Sequence, residues 1–296
     1  MPDEQRDTDR DGAGGGDGPH AGGRPPLPGE RGPRGPESGL AGRMNNYLLL
    51  VYAGACLLMN YSIAGMFYLR GMIYPSLILP GVFSILVPLY LLSRRSPLGF
   101  VREFDLAPPQ AKTALAALLV AVSCILPIEA FSGLFERLRP PDADYISFLL
   151  SIKPKDPVSF ALTALGVALV GPFTEELLFR GFVQRVLARN MSAALAVALS
   201  AALFGISHFN IMILPGVTAL GALYGYLYYA TRRLWCPVLA HALFNLSSLL
   251  RLHAATEEEI VSARVALPSF PWILLSLAVC AASLAFLARL RRADGA

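Results

Sequence analysis

The sequence predicts an all-α protein, a polytopic membrane helix bundle of about eight transmembrane helices. Of the 296 residues, 54% are hydrophobic and only 16% are charged, whereas a soluble domain carries about 25% charged residues. Apolar runs of roughly the 20 residues that a helix needs to cross a bilayer recur along the chain. They lie at about 45–69, 72–93, 112–134, 157–180, 191–208, 213–230, 234–252 and 269–290.

Residues 1–43 differ from the rest of the chain. They are rich in Gly, Pro, Arg and Asp and contain almost no aliphatic or aromatic side chains. Such a segment has too little apolar surface to fold, so we predict a disordered N-terminal tail. Residues 44–296 are predicted to form one membrane domain, and its fourth span is expected to continue as an amphipathic helix to Asn190.

The basic residues between the predicted spans indicate an orientation. With the N-terminus inside, the inner connections and the C-terminus hold eleven Lys and Arg residues and the outer connections hold seven. This bias favours both termini in the cytoplasm. We expect an integral, multi-pass protein of the plasma (cell inner) membrane. The net charge of +4 fits this orientation signal better than a nucleic-acid surface.

The stretch 171–180 places Glu175, Glu176 and Arg180 inside apolar sequence. Ionisable groups within a bilayer are costly and usually face a protein interior or a water-filled cavity. Glu176 and Arg180 are four residues apart, so an intrahelical ion pair is predicted. Glu175 points about 100° away from Glu176 on the same helix. This stretch is therefore the first candidate functional site.

Two histidines lie at or within apolar spans, and each has a partner four residues away. Phe204 precedes His208, and Asn245 follows His241, which puts each pair on one helical face. Measured from the turn between spans four and five, Glu175 and His208 are each about 16 residues, or roughly 24 Å, along antiparallel helices. Glu175 and His208 can therefore lie at the same depth and face each other.

These residue types suit hydrolysis of an amide without a Ser or Cys nucleophile. A carboxylate beside a neutral imidazole can take a proton from water and direct the water at a carbonyl group. An imidazole N–H and an Asn amide on one helix face can donate to the oxyanion that develops. Arg180 can hold Glu176 ionised and in position.

Three motifs resemble those of a known family. Glu-Glu-x-x-x-Arg at 175–180, Phe-x-x-x-His at 204–208 and His-x-x-x-Asn at 241–245 look like the motifs of the CPBP family. This family comprises the type II CAAX prenyl endopeptidases and the bacteriocin-processing Abi proteins. Each motif alone is weak, but their order and spacing match, and all three fall within a motif core at 157–252.

The resemblance implies a glutamate-dependent intramembrane endopeptidase. Carried over by position, Glu175 and His208 would activate water, and His241 and Asn245 would form the oxyanion site. The eight-helix plan of the family agrees with this chain in the number of predicted spans.

The remaining motif residues take supporting roles in the same comparison. Glu176 and Arg180 would complete and support the first motif. Phe204 is a candidate substrate-binding residue, with packing around His208 as the alternative. The expected partners are a membrane-associated or lipidated peptide or protein and the lipid bilayer, with no nucleic acid. Eukaryotic members remove the last three residues of prenylated CAAX proteins, but no residue here identifies that substrate.

Two alternatives stay open. No cofactor is expected, but a zinc-dependent protease of the same fold could use Glu175, His208 and His241 as metal ligands. A protein of another class, either a non-catalytic immunity or scaffold protein or a transporter, could use the buried carboxylates as a proton relay.

The span at 213–230 carries further features that we interpret as structural. Its four tyrosines are interpreted as helix packing and an interfacial aromatic belt: Tyr224, Tyr226, Tyr228 and Tyr229. Gly221 and Gly225 are spaced for close contact with another helix.

Overall fold

The computed structural model describes residues 39–262 and 267–295, and within these ranges the chain forms helices and no strand. The all-α prediction is therefore confirmed. The helices are α1 (Leu40–Arg43), α2 (Asn46–Tyr68), α3 (Ile73–Ser93), α4 (Gly99–Glu103), α5 (Ala111–Leu138), α6 (Ala143–Ile152), α7 (Pro157–Asn190), α8 (Ala193–Ile206), α9 (Leu214–Thr231), α10 (Trp235–Ala254), α11 (Glu257–Val261) and α12 (Phe270–Gly295).

Five helices in the described ranges are long and apolar enough to cross a membrane: α2, α3, α5, α7 and α12. Each of the eight predicted spans falls on a helix, but the count of eight is not confirmed. Helix α8 has only 14 residues, and α9 and α10 are not among the five. Helix α8 is apolar but too short to be counted, and α10 carries the polar site residues His241 and Asn245.

Residues 39–43, the last of the predicted tail, lie within the described part of the chain. Residues 1–38 fall outside the described part, and the prediction of disorder for them stays a prediction. Leu40 begins the short helix α1 and is buried. Its N–H donates to Glu103 Oε1 at 3.1 Å, and the other oxygen of Glu103 accepts from the Ser96 hydroxyl. The last residues assigned to the tail are therefore bound to the bundle.

Helix α7 carries the first motif and continues to Asn190, as predicted. It is interrupted by two π-helical segments, Leu165–Val170 and Leu177–Gln184, which flank Gly171–Glu176. Pro172 lies inside this helix and has no N–H for the helical hydrogen-bond ladder. π-Helical turns inside α-helices occur frequently at functional sites. The glutamates therefore lie between two distortions of a single long helix.

Helix α7 begins at a capping box. Asp156 Oδ1 accepts from the N–H groups of Val158 and Ser159, both at 2.9 Å. These hydrogen bonds, above all that from the Ser159 N–H, hold the pKa of Asp156 below its ordinary value. Because the pKa is lowered in the folded state, the carboxylate stabilises the fold above the pKa of the unfolded chain. The stabilisation is lost as the pH falls through the folded-state pKa.

Replacing Asp156 with alanine is expected to lower the thermal unfolding midpoint at neutral pH, because α7 loses its N-terminal cap. The difference from the wild type should begin to shrink below the unfolded-state pKa of about 3.9, and it should vanish below the lowered folded-state pKa, where the wild-type carboxyl is protonated. Thermal unfolding in detergent at several pH values measures both effects. Asp156→Asn retains a capping side chain and is the control. Equal midpoints for Asp156→Ala and the wild type at neutral pH would refute this account of the cap.

The C-terminal half of α7 lies in the main hydrophobic core. Leu177, Leu178 and Val186 are fully or almost fully buried there, alongside residues of α2, α3 and α8. A second core joins α5, α9, α10 and α12 around Tyr224 and Leu227. The polar residues of the candidate site lie among α7, α8, α9 and α10, with Tyr224 at the edge of the second core.

Candidate active site

Glu176 and Arg180 form a fully buried ion pair. Arg180 Nη1 lies 3.0 Å from Glu176 Oε1, and both side chains are 0% exposed. The predicted intrahelical pair is therefore confirmed. Arg180 Nη2 also donates to the Gly221 carbonyl on α9 at 2.9 Å, and its guanidinium carbon lies 4.5 Å from the centroid of the Phe204 ring. Arg180 thus connects the motif helix to α8 and α9.

Gly221 and Gly225 of α9 allow α7 and α8 to approach closely enough for this connection. One turn beyond the Arg180 contact, Gln184 Nε2 donates to the Gly225 carbonyl at 3.0 Å. A Cβ atom on Gly221 would lie 3.1 Å from Ala201 Cα, and one on Gly225 would lie 2.8 Å from Gln184 Oε1. The predicted close contact at these glycines is confirmed. It also gives Arg180 and Gln184 backbone carbonyl partners on α9.

His241 lies between the two glutamates. Its Nδ1 is 2.9 Å from Glu176 Oε1, and its Nε2 is 3.9 Å from Glu175 Oε2. A carboxylate oxygen accepts, so Nδ1 carries the proton and donates to Glu176. Donation from Nε2 to a substrate would therefore need a ring that carries protons on both nitrogens. The ion pair of Arg180 and Glu176 orients His241 through this hydrogen bond.

His208 has a different partner. Its Nδ1 lies 2.8 Å from the Phe204 carbonyl oxygen, which can only accept, so Nδ1 is the donor. In the neutral ring Nε2 then has a free lone pair and can accept a proton. The chain around His208 is held by Tyr61 of α2, whose hydroxyl donates to the Ser207 carbonyl oxygen.

Phe204 packs beneath both imidazoles. Its ring meets His208 edge to face at 4.9 Å and His241 at 5.7 Å, and only 1% of the residue is exposed. These contacts support the predicted alternative of packing around His208, although Phe204 also lies in the cavity wall.

Asn245 lies one turn beyond His241 on α10. Its Nδ2 donates to the Val167 carbonyl oxygen at 2.7 Å. Val167 belongs to the first π-helical segment of α7, where the helical hydrogen-bond pattern is altered. One amide hydrogen of Asn245 is therefore engaged with the protein, and the other remains for a second acceptor.

A cavity of about 1210 Å³ joins these side chains. Glu175, His208, His241 and Asn245 line it together. Glu176 and Arg180 do not line it and lie behind His241. The six predicted site residues thus divide into four that face the cavity and two that support them.

The other end of the cavity is charged. Glu129 of α5 and Arg251 of α10 form an ion pair there, and Glu136 and Asp144 also line this end. Local sequence patterns do not indicate that these residues share a cavity with the motifs, because they lie on three different helices.

The alternative set of zinc ligands is not assembled in the structure. Within residues 39–262 and 267–295, no three His, Cys, Asp or Glu side chains come together closely enough to hold a metal ion. Glu175, His208 and His241 line one cavity but do not form such a group. Glu176 and the Phe204 carbonyl also occupy the Nδ1 atoms of the two histidines.

Tyr224 belongs to the site although the sequence interpretation placed it in helix packing. It is 0% exposed, its ring stacks on His241 with the centroids 4.9 Å apart, and it lines the cavity. Tyr224 lies three residues beyond Gly221 on α9, and the Gly221 carbonyl accepts a hydrogen bond from Arg180. The sequence could not place Tyr224 at the site, because the pairing of α9 with α7 cannot be read from local spacing.

Comparison with known proteins agrees with the geometry. Residues 157–247 match the family model described as type II CAAX prenyl endopeptidase Rce1-like. The motif region is similar to this family. All three motifs lie inside the matched segment, whereas α2, α3 and α5 precede it and α12 follows it.

A curated relative of this chain is also found. It is "Putative membrane peptidase YdiL" of Bacillus subtilis (strain 168), which is 35% identical over 78 residues. The aligned part covers 26% of this chain and 32% of that protein. No solved structure matches the chain. The two matches support a membrane protease as the class of protein and leave its substrate and mechanism to be argued from the site.

Proposed function

We propose that this protein is an intramembrane endopeptidase that hydrolyses a peptide bond with water activated by Glu175 and His208. The observation that carries the proposal is the shared cavity: Glu175, His208, His241 and Asn245 line it. These residues come from α7, α10 and the turn that follows α8, and they supply a base, a second proton acceptor and two hydrogen-bond donors. The match to the Rce1-like family supports the same chemistry.

In the proposed reaction, the water oxygen attacks the carbonyl carbon of the scissile bond. Glu175 or His208 Nε2 takes the proton of the attacking water, which contributes typically 10²–10⁴-fold in rate. The carbon–nitrogen bond then breaks, and the same proton passes to the departing amine. The products are a free carboxylate and a free amine, and no bond forms between the protein and the substrate.

The negative charge that develops on the carbonyl oxygen needs donors. In the proposal these are the remaining amide hydrogen of Asn245 and Nε2 of His241 with both ring nitrogens protonated. Glu176 faces the ring at 2.9 Å and Glu175 at 3.9 Å, so two carboxylates flank this imidazole. Preorganised donors in a site with little water contribute more than they would in bulk water.

The cavity suggests the class of substrate. Its volume of about 1210 Å³ exceeds the roughly 300–1,000 Å³ that is typical of small-molecule pockets. A membrane-associated or lipidated peptide or protein fits a cavity of this size among apolar helices. The proposed setting is the plasma (cell inner) membrane with both termini in the cytoplasm. The proposed chemistry uses no cofactor.

The proposal is tested with the purified protein in nanodiscs and one quenched fluorescent CAAX peptide, prepared with and without its prenyl group. We expect cleavage of at least one form at a rate that a zinc chelator does not change. Loss of activity in chelator, with recovery on adding zinc, would instead establish the metal-dependent alternative. No cleavage of either form would count against an endopeptidase of this specificity. The ratio of the two rates measures the need for the lipid.

A further inference from the structure

Tyr224 presents a hydroxyl group for which packing gives no explanation. The residue is 0% exposed, and its hydroxyl has no hydrogen-bond partner among the described residues. Leaving a buried polar group unpaired is costly, and nearly all such groups in folded proteins have a partner. A phenylalanine would fill the same space without this cost. The hydroxyl therefore indicates a partner that binds at this position.

The position of Tyr224 indicates what that partner is. The side chain lines the cavity together with Glu175, His208 and His241. Its ring stacks on the His241 ring at 4.9 Å with an angle of 21° between the planes. Arg180 lies on the ring as well, with its guanidinium carbon 5.6 Å from the centroid. Tyr224 is thus fixed beside the proposed oxyanion donors.

Those donors are already partly engaged with the protein. Asn245 gives one amide hydrogen to the Val167 carbonyl, and His241 gives its Nδ1 hydrogen to Glu176. A tetrahedral oxyanion is best stabilised by two or more donors aimed at one point. The unpaired Tyr224 hydroxyl is a third donor that requires no change in the charge of the site.

We propose that Tyr224 is a further catalytic residue, whose hydroxyl donates a hydrogen bond to the carbonyl oxygen of the scissile bond beside His241. This inference rests on the proposed function. The bond strengthens as the oxygen gains negative charge, so it stabilises the transition state more than the bound substrate. Tyr224 lies outside the three motifs, and its ring contacts His241 and Arg180.

The chain offers a matched comparison one helical turn away. Tyr228 is also buried, at 1% exposed, but its hydroxyl donates to Asp105 Oδ2 at 2.8 Å. Tyr228→Phe should therefore raise the equilibrium constant for unfolding by roughly tenfold. Tyr224→Phe should not raise it, because no bond within the protein is lost. Chemical unfolding of both variants in the same detergent measures this difference.

Activity provides the second measurement. Tyr224→Phe is expected to lower kcat on the quenched peptide by roughly 10²-fold and to leave KM unchanged, as expected for an interaction made in the transition state. Tyr226→Phe, the same change on another face of α9, is the control and should retain the wild-type kcat. A pure packing role would leave kcat unchanged.

The outcomes separate this inference from the proposed function. Destabilisation of Tyr224→Phe to the level of Tyr228→Phe would overturn the inference, because the hydroxyl would then have a partner within the protein. A wild-type kcat for Tyr224→Phe would overturn it as well. If Glu175→Gln also retains wild-type activity, the proposed function itself fails. If Glu175→Gln is inactive, only the role of Tyr224 fails.

Discussion

Replacing Arg180 with methionine is expected to destabilise the bundle by about 3–5 kcal/mol, because Glu176 is left as a buried charge without its cation. Arg180 and Glu176 are both 0% exposed, so water cannot replace the lost partner. The variant also loses the bond to the Gly221 carbonyl, which ties α7 to α9. Unfolding in detergent at increasing denaturant concentration measures the change.

A second substitution separates stability from function. Glu176→Leu combined with Arg180→Met removes both charges and should be more stable than Arg180→Met alone. The double variant should nevertheless be inactive, because His241 loses the carboxylate that accepts the hydrogen bond from its Nδ1. Arg102→Met, at an exposed arginine on α4, is the control and should change neither property. A stability for Arg180→Met equal to the wild type would contradict the buried pair.

Arg180→Lys is a third variant whose stability can be compared in the same experiment. Lysine keeps the positive charge but presents a single ammonium group, whereas the guanidinium reaches Glu176 through Nη1 and Gly221 through Nη2. Lysine cannot reproduce this fork. We therefore expect Arg180→Lys to lie between the wild type and Arg180→Met in stability.

The sequence predicted the features that depend on local spacing. The spacing of four residues between Glu176 and Arg180 predicted an ion pair, and the structure contains it. The apolar run at 157–180 and its amphipathic continuation to Asn190 predicted α7 as one helix, followed by a turn. Equal distances from that turn placed Glu175 and His208 at one depth, and both side chains line one cavity.

Features that depend on the pairing of distant helices could not be predicted. The bond from Asn245 to Val167 joins residues 78 positions apart, and nothing in either local pattern indicates it. Glu176 could be assigned as the partner of Arg180, but its bond to His241 depends on how α10 packs against α7. Tyr224 was interpreted as packing for the same reason, because an aromatic residue at helical spacing has no local sign of a neighbouring imidazole.

The helix count shows a different limit. A long apolar run predicts a spanning helix, but residues that form a site interrupt apolarity. Helix α10 holds His241, Asn245 and Arg251 on the wall of the cavity, and it is not among the five helices that length and composition identify as spans. Polar residues that form a site therefore lower the hydropathy by which a membrane-spanning helix is recognised.

Glu175→Gln is expected to reduce peptide hydrolysis by about 10²–10⁴-fold and to leave the bundle folded. Glutamine occupies the same volume and cannot take a proton from water. Glu175 is also the less buried of the two glutamates, with 33% of its side chain exposed. Its loss should therefore affect stability far less than the loss of Arg180.

The most direct test of the account compares initial rates of peptide cleavage by the wild type and by Glu175→Gln in nanodiscs, with a zinc chelator present throughout. Glu258→Gln, on the exposed face of α11, is the matched control. We expect cleavage by the wild type and by Glu258→Gln, and a loss of at least about 10²-fold for Glu175→Gln. Equal rates for all three proteins would show that Glu175 does not activate the attacking water and would contradict the central claim.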